Sequence, residues 1–230
     1  MFGALELILI EPIRAALLVV LEWAFELTRS QGVAIMVLSL VFNLLLLPAY
    51  HWAEKVQGRE REAQARMAPK LQEFSFAFAG QERYMMQRAL YRQHRYHPIF
   101  AMRGLVPLAL QIPLFIAAFG LLNRHAPLSG VPFLGIPDLG APDGLLFGIN
   151  LLPIVMTLLN LIALWLYSQG QGVSEKVQGH VIAVLFLVLL YRSPAGLVLY
   201  WTTNNLFSVF KSLFYSSRRS HDFYRASKCA

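Results

Sequence analysis

Long apolar runs alternate with charged stretches along this chain, and the runs are long enough to cross a bilayer. A transmembrane helix needs about 20 predominantly apolar residues. The last apolar block is long enough for two helices, and Arg192-Ser193-Pro194 interrupts it where a proline and a charge favour a turn. The pattern therefore predicts five transmembrane helices, at 31–50, 104–123, 145–168, 180–191 and 194–215.

The segment before the first span, residues 1–30, has a different pattern. On a helical wheel the charged residues of 11–29 fall within a sector about 120° wide, and the rest of that surface is apolar. These charged residues are Glu11, Arg14, Glu22, Glu26 and Arg29. The longest uncharged run, 15–21, is too short to span, and Pro12 suits a first helical turn. We predict an amphipathic helix that lies in the membrane interface.

Charge between the spans predicts the topology. Residues 51–103 carry ten Lys or Arg and five Glu, and their pattern predicts a hairpin of two helices, 52–78 and 81–94. The tail 216–230 is also basic, whereas the loop 124–144 has one arginine and two aspartates. The positive-inside rule therefore places the hairpin, the loop 169–179 and the tail in the cytoplasm, with the N-terminus and the loop 124–144 outside.

Composition excludes an ordinary soluble domain. Hydrophobic residues make up 57% of the chain and charged residues 14%, whereas soluble domains carry roughly 25% charge. The net charge of +7 is concentrated between and after the spans, which favours topology signals over a nucleic-acid surface. The single cysteine, Cys229, excludes a disulfide framework. Residues 1–11 lack the basic cluster of a signal or transit peptide, which predicts a bacterial inner membrane protein.

Four predicted spans each place an amide side chain about 10 Å from the cytoplasmic boundary, counted at the helical rise. These residues are Asn43, Gln111, Asn160 and Asn204, with Ser39 and Thr157 extending two of the faces by one turn. Two interpretations remain open. The amides could bond neighbouring helices, or they could line a hydrophilic cavity that opens to the cytoplasm.

Several motifs resemble the YidC-type membrane protein insertases, the YidC/Oxa family, over residues 12–216. The motifs are Pro194-Ala-Gly-Leu-Val-Leu-Tyr-Trp-Thr-Thr-Asn-Asn-Leu-Phe-Ser, Val106-Pro-Leu-Ala-Leu-Gln-Ile-Pro-Leu-Phe-Ile-Ala, Phe133-Leu-Gly-Ile-Pro-Asp-Leu-Gly-Ala-Pro-Asp followed by Leu152-Pro-Ile-Val-Met, Met67-Ala-Pro-Lys-Leu and Ala89-Leu-Tyr-Arg. The resemblance implies an all-α membrane fold of five helices around a hydrophilic groove that is open to the cytoplasm and closed to the outside. It also implies an N-terminal interfacial helix and a cytoplasmic hairpin.

The resemblance further implies an insertase or chaperone, with no enzymatic activity, cofactor or metal. The groove would receive polar segments of nascent membrane proteins, and their apolar parts would pass along its lipid side into the bilayer. Expected groove residues are Ser39, Asn43, Gln111, Thr157, Asn160, Tyr200, Trp201, Asn204 and Asn205. Expected contacts to a client or the ribosome are Arg88, Arg92, Arg95, Arg218 and Arg219. Membrane lipid is an expected partner and the Sec translocon a further candidate, with no specific nucleic acid.

One departure from the family pattern affects the function. The first span of these insertases usually carries an arginine where this chain reads Asn43-Leu-Leu-Leu-Leu-Pro48. A non-inserting scaffold or assembly factor for one membrane complex is therefore the alternative function. Single residues also have two interpretations. Tyr200 and Trp201 could only pack the bundle, the arginines of the tail could set topology or bind anionic lipid or ribosomal RNA, and His94 with His97 favours solvated side chains over a metal site.

Overall fold

The computed structural model describes residues 6–97, 99, 106–123, 126–167 and 173–228. In this part of the chain all regular secondary structure is helical, apart from two isolated β-bridges in a loop. A π-helical turn, Glu6–Ile10, and a 3-10 turn, Ala126–Leu128, accompany the α-helices. The α-helices are α1 (Glu11–Thr28), α2 (Gln31–Ala77), α3 (Gly80–Gln93), α4 (Val106–Leu122), α5 (Leu151–Tyr167), α6 (Val173–Leu190) and α7 (Ala195–Lys228).

The chain forms two compact units. The bundle unit comprises Met1–Leu45 with Pro113–Ala230, and the hairpin unit comprises Leu46–Ile112. One division falls three residues before Pro48 in α2 and the other falls at Pro113 in α4. A proline inside a helix removes one main-chain hydrogen bond, so both helices are locally weakened near these divisions.

Among the described residues, one helix, α2, is both long and apolar enough to cross a membrane by length and composition. The described parts of α4, α5 and α6 supply shorter apolar helices, Gln111–Leu122, Leu151–Leu166 and Lys176–Leu190. The apolar part of α7 includes Thr202, Thr203 and two asparagines, which lower its mean hydropathy. The all-helical class is therefore confirmed, whereas the count of five spans stays a prediction.

The core of the bundle unit joins side chains from α1, α2, α4, α5, α6 and α7. Helix α1 contributes Leu17, Leu21 and Ala24, so its apolar face packs into the protein. Two glycines permit close approaches. A Cβ at Gly32 would lie 2.1 Å from the ring of Phe133, and one at Gly196 would lie 3.2 Å from the Ile35 side chain.

Helix α5 begins later than the predicted third span, at Leu151 instead of 145. The Asp143 carboxylate accepts hydrogen bonds from the Leu151 and Leu152 main-chain N–H groups at 2.7 and 3.1 Å. These N–H groups have no partner inside the helix, so the carboxylate caps the start of α5. Residues 145–150 form a tight turn before it.

The hairpin unit follows the predicted pair of helices closely. Helix α2 ends at Ala77 and α3 begins at Gly80, whose φ of +54° falls in the left-handed region that glycine adopts readily. Ala53 and Met67 on α2 and Leu90 on α3 are buried. Most other side chains of α3 are exposed, as its low apolar content predicts.

Candidate functional site

A pair of polar side chains is buried on α2 in the bundle unit. Ser39 has an exposed fraction of 0% and Asn43 one of 4%. The Asn43 Nδ2 group donates to the Ser39 main-chain carbonyl at 2.8 Å, which is one turn earlier on the same helix. The Ser39 hydroxyl has no hydrogen-bond partner among the described residues. This buried pair is uncharged and therefore compatible with a low-dielectric setting.

A second polar group joins α5 to α7 in the same unit. The Asn205 Nδ2 group donates to the Met156 main-chain carbonyl at 3.1 Å, and both residues are buried. Next to Met156, the Thr157 hydroxyl donates to the Pro153 carbonyl at 2.8 Å. On α7 the buried Thr203 hydroxyl donates to the Leu199 carbonyl at 2.9 Å. Each of these side chains is satisfied by a main-chain carbonyl, either of its own helix or of a neighbour.

The remaining predicted amides are less buried. Asn160 on α5 and Asn204 on α7 are both half-buried. Gln111 belongs to the hairpin unit, where its Oε1 atom accepts a hydrogen bond from the Tyr50 hydroxyl at 3.2 Å. In the bundle unit the Asn205 amide thus bonds Met156, the residue before Thr157.

Tyr200 and Trp201 lie in an aromatic cluster inside the core of the bundle unit. The Trp201 ring stacks on Phe186 of α6 with centroids 5.3 Å apart, and it forms an edge-to-face contact with Phe115 of α4 at a centroid distance of 5.0 Å. Tyr200 packs beside Trp201 at 5.6 Å, and each of the two has an exposed fraction of 3%. This burial is what the packing interpretation of the two residues predicts.

The loop before α5 holds the adjacent ends of α6 and α7. Asn150 accepts a hydrogen bond from the Gly144 N–H at 3.0 Å and donates from Nδ2 to the Tyr191 carbonyl at 2.7 Å. The Ala195 N–H donates to the Ala141 carbonyl at 2.8 Å. Main-chain bonds of this kind fix the loop across this end of the bundle unit.

A basic cavity of about 260 Å³ lies in the hairpin unit. It is lined by Arg59, Glu60, Ala63, Arg66, His94, Arg95 and Tyr96. Glu60 has an exposed fraction of 5%, and its carboxylate accepts hydrogen bonds from the Tyr96 hydroxyl and the Gln64 amide. Burial, and the hydrogen bond to Glu60, raise the pKa of Tyr96 to about 12. The arginines of this cavity leave an excess of positive charge around one carboxylate.

The predicted basic contacts divide into two groups. Arg88, Arg92 and Arg95 are exposed on α3 and the residues after it. Arg218 and Arg219 lie on α7, but their side chains fall outside the described ones.

Sequence reasoning missed several polar residues that the structure brings together. Glu60 and Tyr96 are 36 residues apart, and nothing in their local sequence signals that they pair. The roles of Asp143 and Asn150 were partly predictable, because an Asp or Asn before an apolar run is typical of a helix cap. Thr203 is visible only as a polar residue inside an apolar run.

Comparisons with known proteins agree with this architecture. A family model described as 60Kd inner membrane protein matches residues 23–222. The membrane protein insertase YidC of Syntrophobacter fumaroxidans is 33% identical over an alignment of 206 residues that covers 84% of this chain. The insertase YidC of Aquifex aeolicus is 29% identical over 213 residues, or 92% of this chain.

Among solved structures, the fold is similar to an active YidC insertase crystal structure with the first transmembrane domain resolved. The TM-score is 0.58, with 22% identical residues, and the match covers 88% of this chain and 45% of that one. At this identity the likeness shows the fold alone. The chain spans 36% and 39% of the lengths of the two curated relatives, so it corresponds to a part of those proteins.

Proposed function

This chain belongs to the 60 kDa inner membrane protein family, that of the YidC-type insertases, and we propose that it assists the insertion of nascent membrane proteins. The family places the chain in the membrane. We assign to this chain the full activity, clients and partners of the longer relatives only as part of this proposal.

The observation that carries the proposal is the group of uncharged polar side chains in the bundle unit. Polar groups inside a membrane bundle are costly and commonly mark the path of a transported group. Ser39, Asn43, Thr157 and Asn205 are buried within a unit whose core is otherwise mostly apolar. We infer that a client's polar segment exchanges its water for contacts with these side chains. That exchange lowers the cost of moving unsatisfied polar groups into the bilayer.

The buried state of these residues indicates how such a site would work. Asn43, Thr157 and Thr203 each bond a carbonyl of their own helix, which already has a partner in the helical ladder. These side chains can therefore turn toward a client without leaving a main-chain group unpaired. The Ser39 hydroxyl, which has no partner among the described residues, offers an additional donor and acceptor.

An apolar surface supports the second half of the proposed mechanism. On α6, Val181, Val184, Leu185 and Val188 have exposed fractions of 57–72%. In a membrane these side chains contact lipid tails. We propose that the apolar part of a client leaves along such a surface, where it contacts lipid at once.

The end of the bundle unit that carries the loop supports a groove closed on one side. Bonds from Asn150 to Tyr191 and from Ala195 to Ala141 hold this loop against the start of α7. In the proposed topology this end faces outward. The hairpin and the tail then lie in the cytoplasm, where the exposed Arg88, Arg92 and Arg95 would contact a client or the ribosome.

The second candidate function is a non-inserting scaffold or assembly factor, which Asn43 favours. An amide provides polarity without charge, so it cannot attract an acidic client segment as the usual arginine of this family does. A scaffold would keep the fold and the neutral pair without moving clients.

Complementation separates the two functions. Cells depleted of their own insertase would be given this chain or its Asn43→Arg variant, with membrane expression confirmed by blotting. The proposal expects rescue of growth by the unmodified chain. Rescue by Asn43→Arg alone would indicate a specialised relative, and failure of both at normal expression would exclude the insertase function.

A further inference from the structure

Two turns in the loop between α4 and α5 have the same unusual form. Each is a two-residue hairpin turn closed by a pair of main-chain hydrogen bonds, between Phe133 and Ile136 and between Leu146 and Ile149. Their central residues are Leu134-Gly135 and Phe147-Gly148, all with positive φ, from 48° to 86°. Positive φ at both central positions defines a type I′ turn, in which Asn-Gly is the preferred pair. This chain has Leu-Gly and Phe-Gly instead.

The strained residue of each turn is also its most exposed one. Leu134 has an exposed fraction of 79% and Phe147 one of 101%. A bulky side chain in the left-handed region costs conformational free energy. Neither side chain recovers this cost by packing inside the protein. Contact with an apolar environment outside the chain would offset this cost.

The two acidic residues of this loop do not make the tips polar. Asp138 accepts hydrogen bonds from the Gly130 and Gly140 N–H groups at 2.8 and 2.7 Å, and Asp143 caps α5. The segment 144–149 has no charged residue, and Leu145, Leu146 and Ile149 are exposed beside Phe147. The second turn is thus an uncharged apolar tip.

This tip is continuous with a surface that contacts lipid. Helix α5 begins two residues after Ile149, and its Ile154, Val155 and Leu158 have exposed fractions of 36–54%. Because the family is a membrane family, exposed apolar side chains on this helix face lipid tails. The apolar surface of the tip extends this lipid-facing surface beyond the N-terminal end of α5.

We propose that Phe147 and Leu134 insert into the bilayer interface and anchor the loop to the membrane. The two tips are unequal. The base of the first turn is packed, since Phe133 lies against Gly32 and Ile136 is buried, so only Leu134 projects. The second turn exposes four neighbouring apolar side chains and is the main anchor. The proposal needs the membrane location of the chain but not its insertase activity.

Fluorescence quenching in lipid nanodiscs tests the anchor. Replacing Cys229, the sole cysteine, by serine allows single labelling of Phe147→Cys, Leu134→Cys and Gln81→Cys with a polarity-sensitive fluorophore. Gln81 is exposed on the charged hairpin and serves as the aqueous reference. Leu146→Cys replaces the Phe147 reporter if that variant fails to fold. Quenchers are iodide in the water and nitroxide-labelled phospholipids in the bilayer.

We expect blue-shifted emission at 147, quenching by the nitroxide lipids and an iodide quenching slope severalfold smaller than at 81. The Leu134 reporter should show the same effects more weakly. An iodide slope equal to that at 81, with no lipid quenching, would place the tip in water and overturn the anchor. Protection from both quenchers would indicate coverage by protein, such as a second copy, and would overturn it as well.

A companion variant separates lipid contact from turn stability. Phe147→Asn introduces the residue that type I′ turns prefer, so it should leave the turn formed or improve it. With the reporter at Leu146→Cys, we expect this variant to lose quenching by the nitroxide lipids if Phe147 anchors the loop. Unchanged lipid quenching would contradict a role for the Phe147 side chain. Neither result depends on client insertion, so both can be distinguished from a failure of the proposed function.

Discussion

The side-chain amide of Asn205 on α7 donates to the main-chain carbonyl of Met156 on α5, over a distance of 3.1 Å and 49 residues of sequence. Asn204, the preceding residue, is only half-buried. Of these two neighbouring amides, one therefore links two helices and the other is available for a different contact. Interhelical bonding is therefore seen for Asn205, whereas groove lining by either amide stays a prediction.

Replacing Asn205 by leucine should destabilise the bundle, because the interhelical bond is lost while the side-chain volume is roughly kept. We expect a loss of about 1 kcal/mol in the free energy of unfolding, the scale of such bonds in membranes. Unfolding in bicelles measures it, with Asn204→Leu as the matched control. Equal losses in the two variants would show that the bond to Met156 contributes nothing specific.

The cap of α5 gives a second test. Asp143→Ala removes the acceptor of two main-chain N–H groups and should cost about 1 kcal/mol of stability. Asp143→Asn keeps a side-chain oxygen and should recover most of this loss. Thermal unfolding of both variants would decide, and an alanine variant as stable as the parent would contradict the capping role.

We predict opposite changes in stability when two glycines of α2 are each replaced by alanine. A methyl group at Gly32 would lie 2.1 Å from the Phe133 ring, whereas one at Gly58 would meet nothing within 4 Å apart from its chain neighbours and its own helix backbone. We expect Gly32→Ala to destabilise the protein by about 1 to 3 kcal/mol through overpacking. Gly58→Ala should stabilise it by up to about 1 kcal/mol, because alanine favours helix.

A double variant checks the cause of the first effect. If overpacking against Phe133 is the reason, Phe133→Ala should make Gly32→Ala nearly neutral when the two are combined. Additive losses in this double-mutant cycle would show that the ring is not the obstacle.

The Glu60–Tyr96 contact predicts the stability of the hairpin. Tyr96→Phe removes a donor from a carboxylate with an exposed fraction of 5%, and we expect a loss of about 1 to 3 kcal/mol in local stability. Hydrogen exchange of a peptide covering 57–66 measures the effect. The control is Tyr84→Phe, which loses the same hydroxyl at an exposed position on α3.

The same contact has a pH dependence of definite sign. The pKa of Tyr96 is raised from its ordinary value of 10.0 to about 12 in the folded protein. The folded state therefore holds this proton more tightly, and the stabilisation is fully present below pH 10 and lost as the pH rises toward 12. Exchange protection of 57–66 should fall over this range in the parent but not in Tyr96→Phe.

Sequence periodicity predicts that these segments are helices, because the spacing of apolar and polar residues along a helix is a local property of the sequence. Charge and a glycine predict a helix break near Gly80, and α2 ends at Ala77 where α3 begins at Gly80. The predicted first arm, 52–78, is not a separate helix, because α2 runs from Gln31 without a break. The start of α5 was missed by six residues, because an apolar run such as 145–150 reads equally as helix or turn until the bonds of Asp143 and Asn150 are known.

The candidate site was harder to predict, for a physical reason. Helical spacing finds polar side chains at one depth, but depth does not say which of them face one another. Asn205 meets Met156 and Asn43 meets its own helix, and both outcomes depend on rotation about the helix axis. Gln111 shares the predicted depth but lies in the hairpin unit with Tyr50 as its partner.

Insertion of a client by the purified chain alone is the most direct test of the proposed insertase function. Liposomes containing this protein would be mixed with a nascent single-span client, and protease protection would report insertion. We expect more protected client than in protein-free liposomes, and crosslinks from a photoreactive residue at Asn43 to the client's polar segment. Protection no greater than in protein-free liposomes, with no crosslink from Asn43, would contradict the insertase function and leave the scaffold.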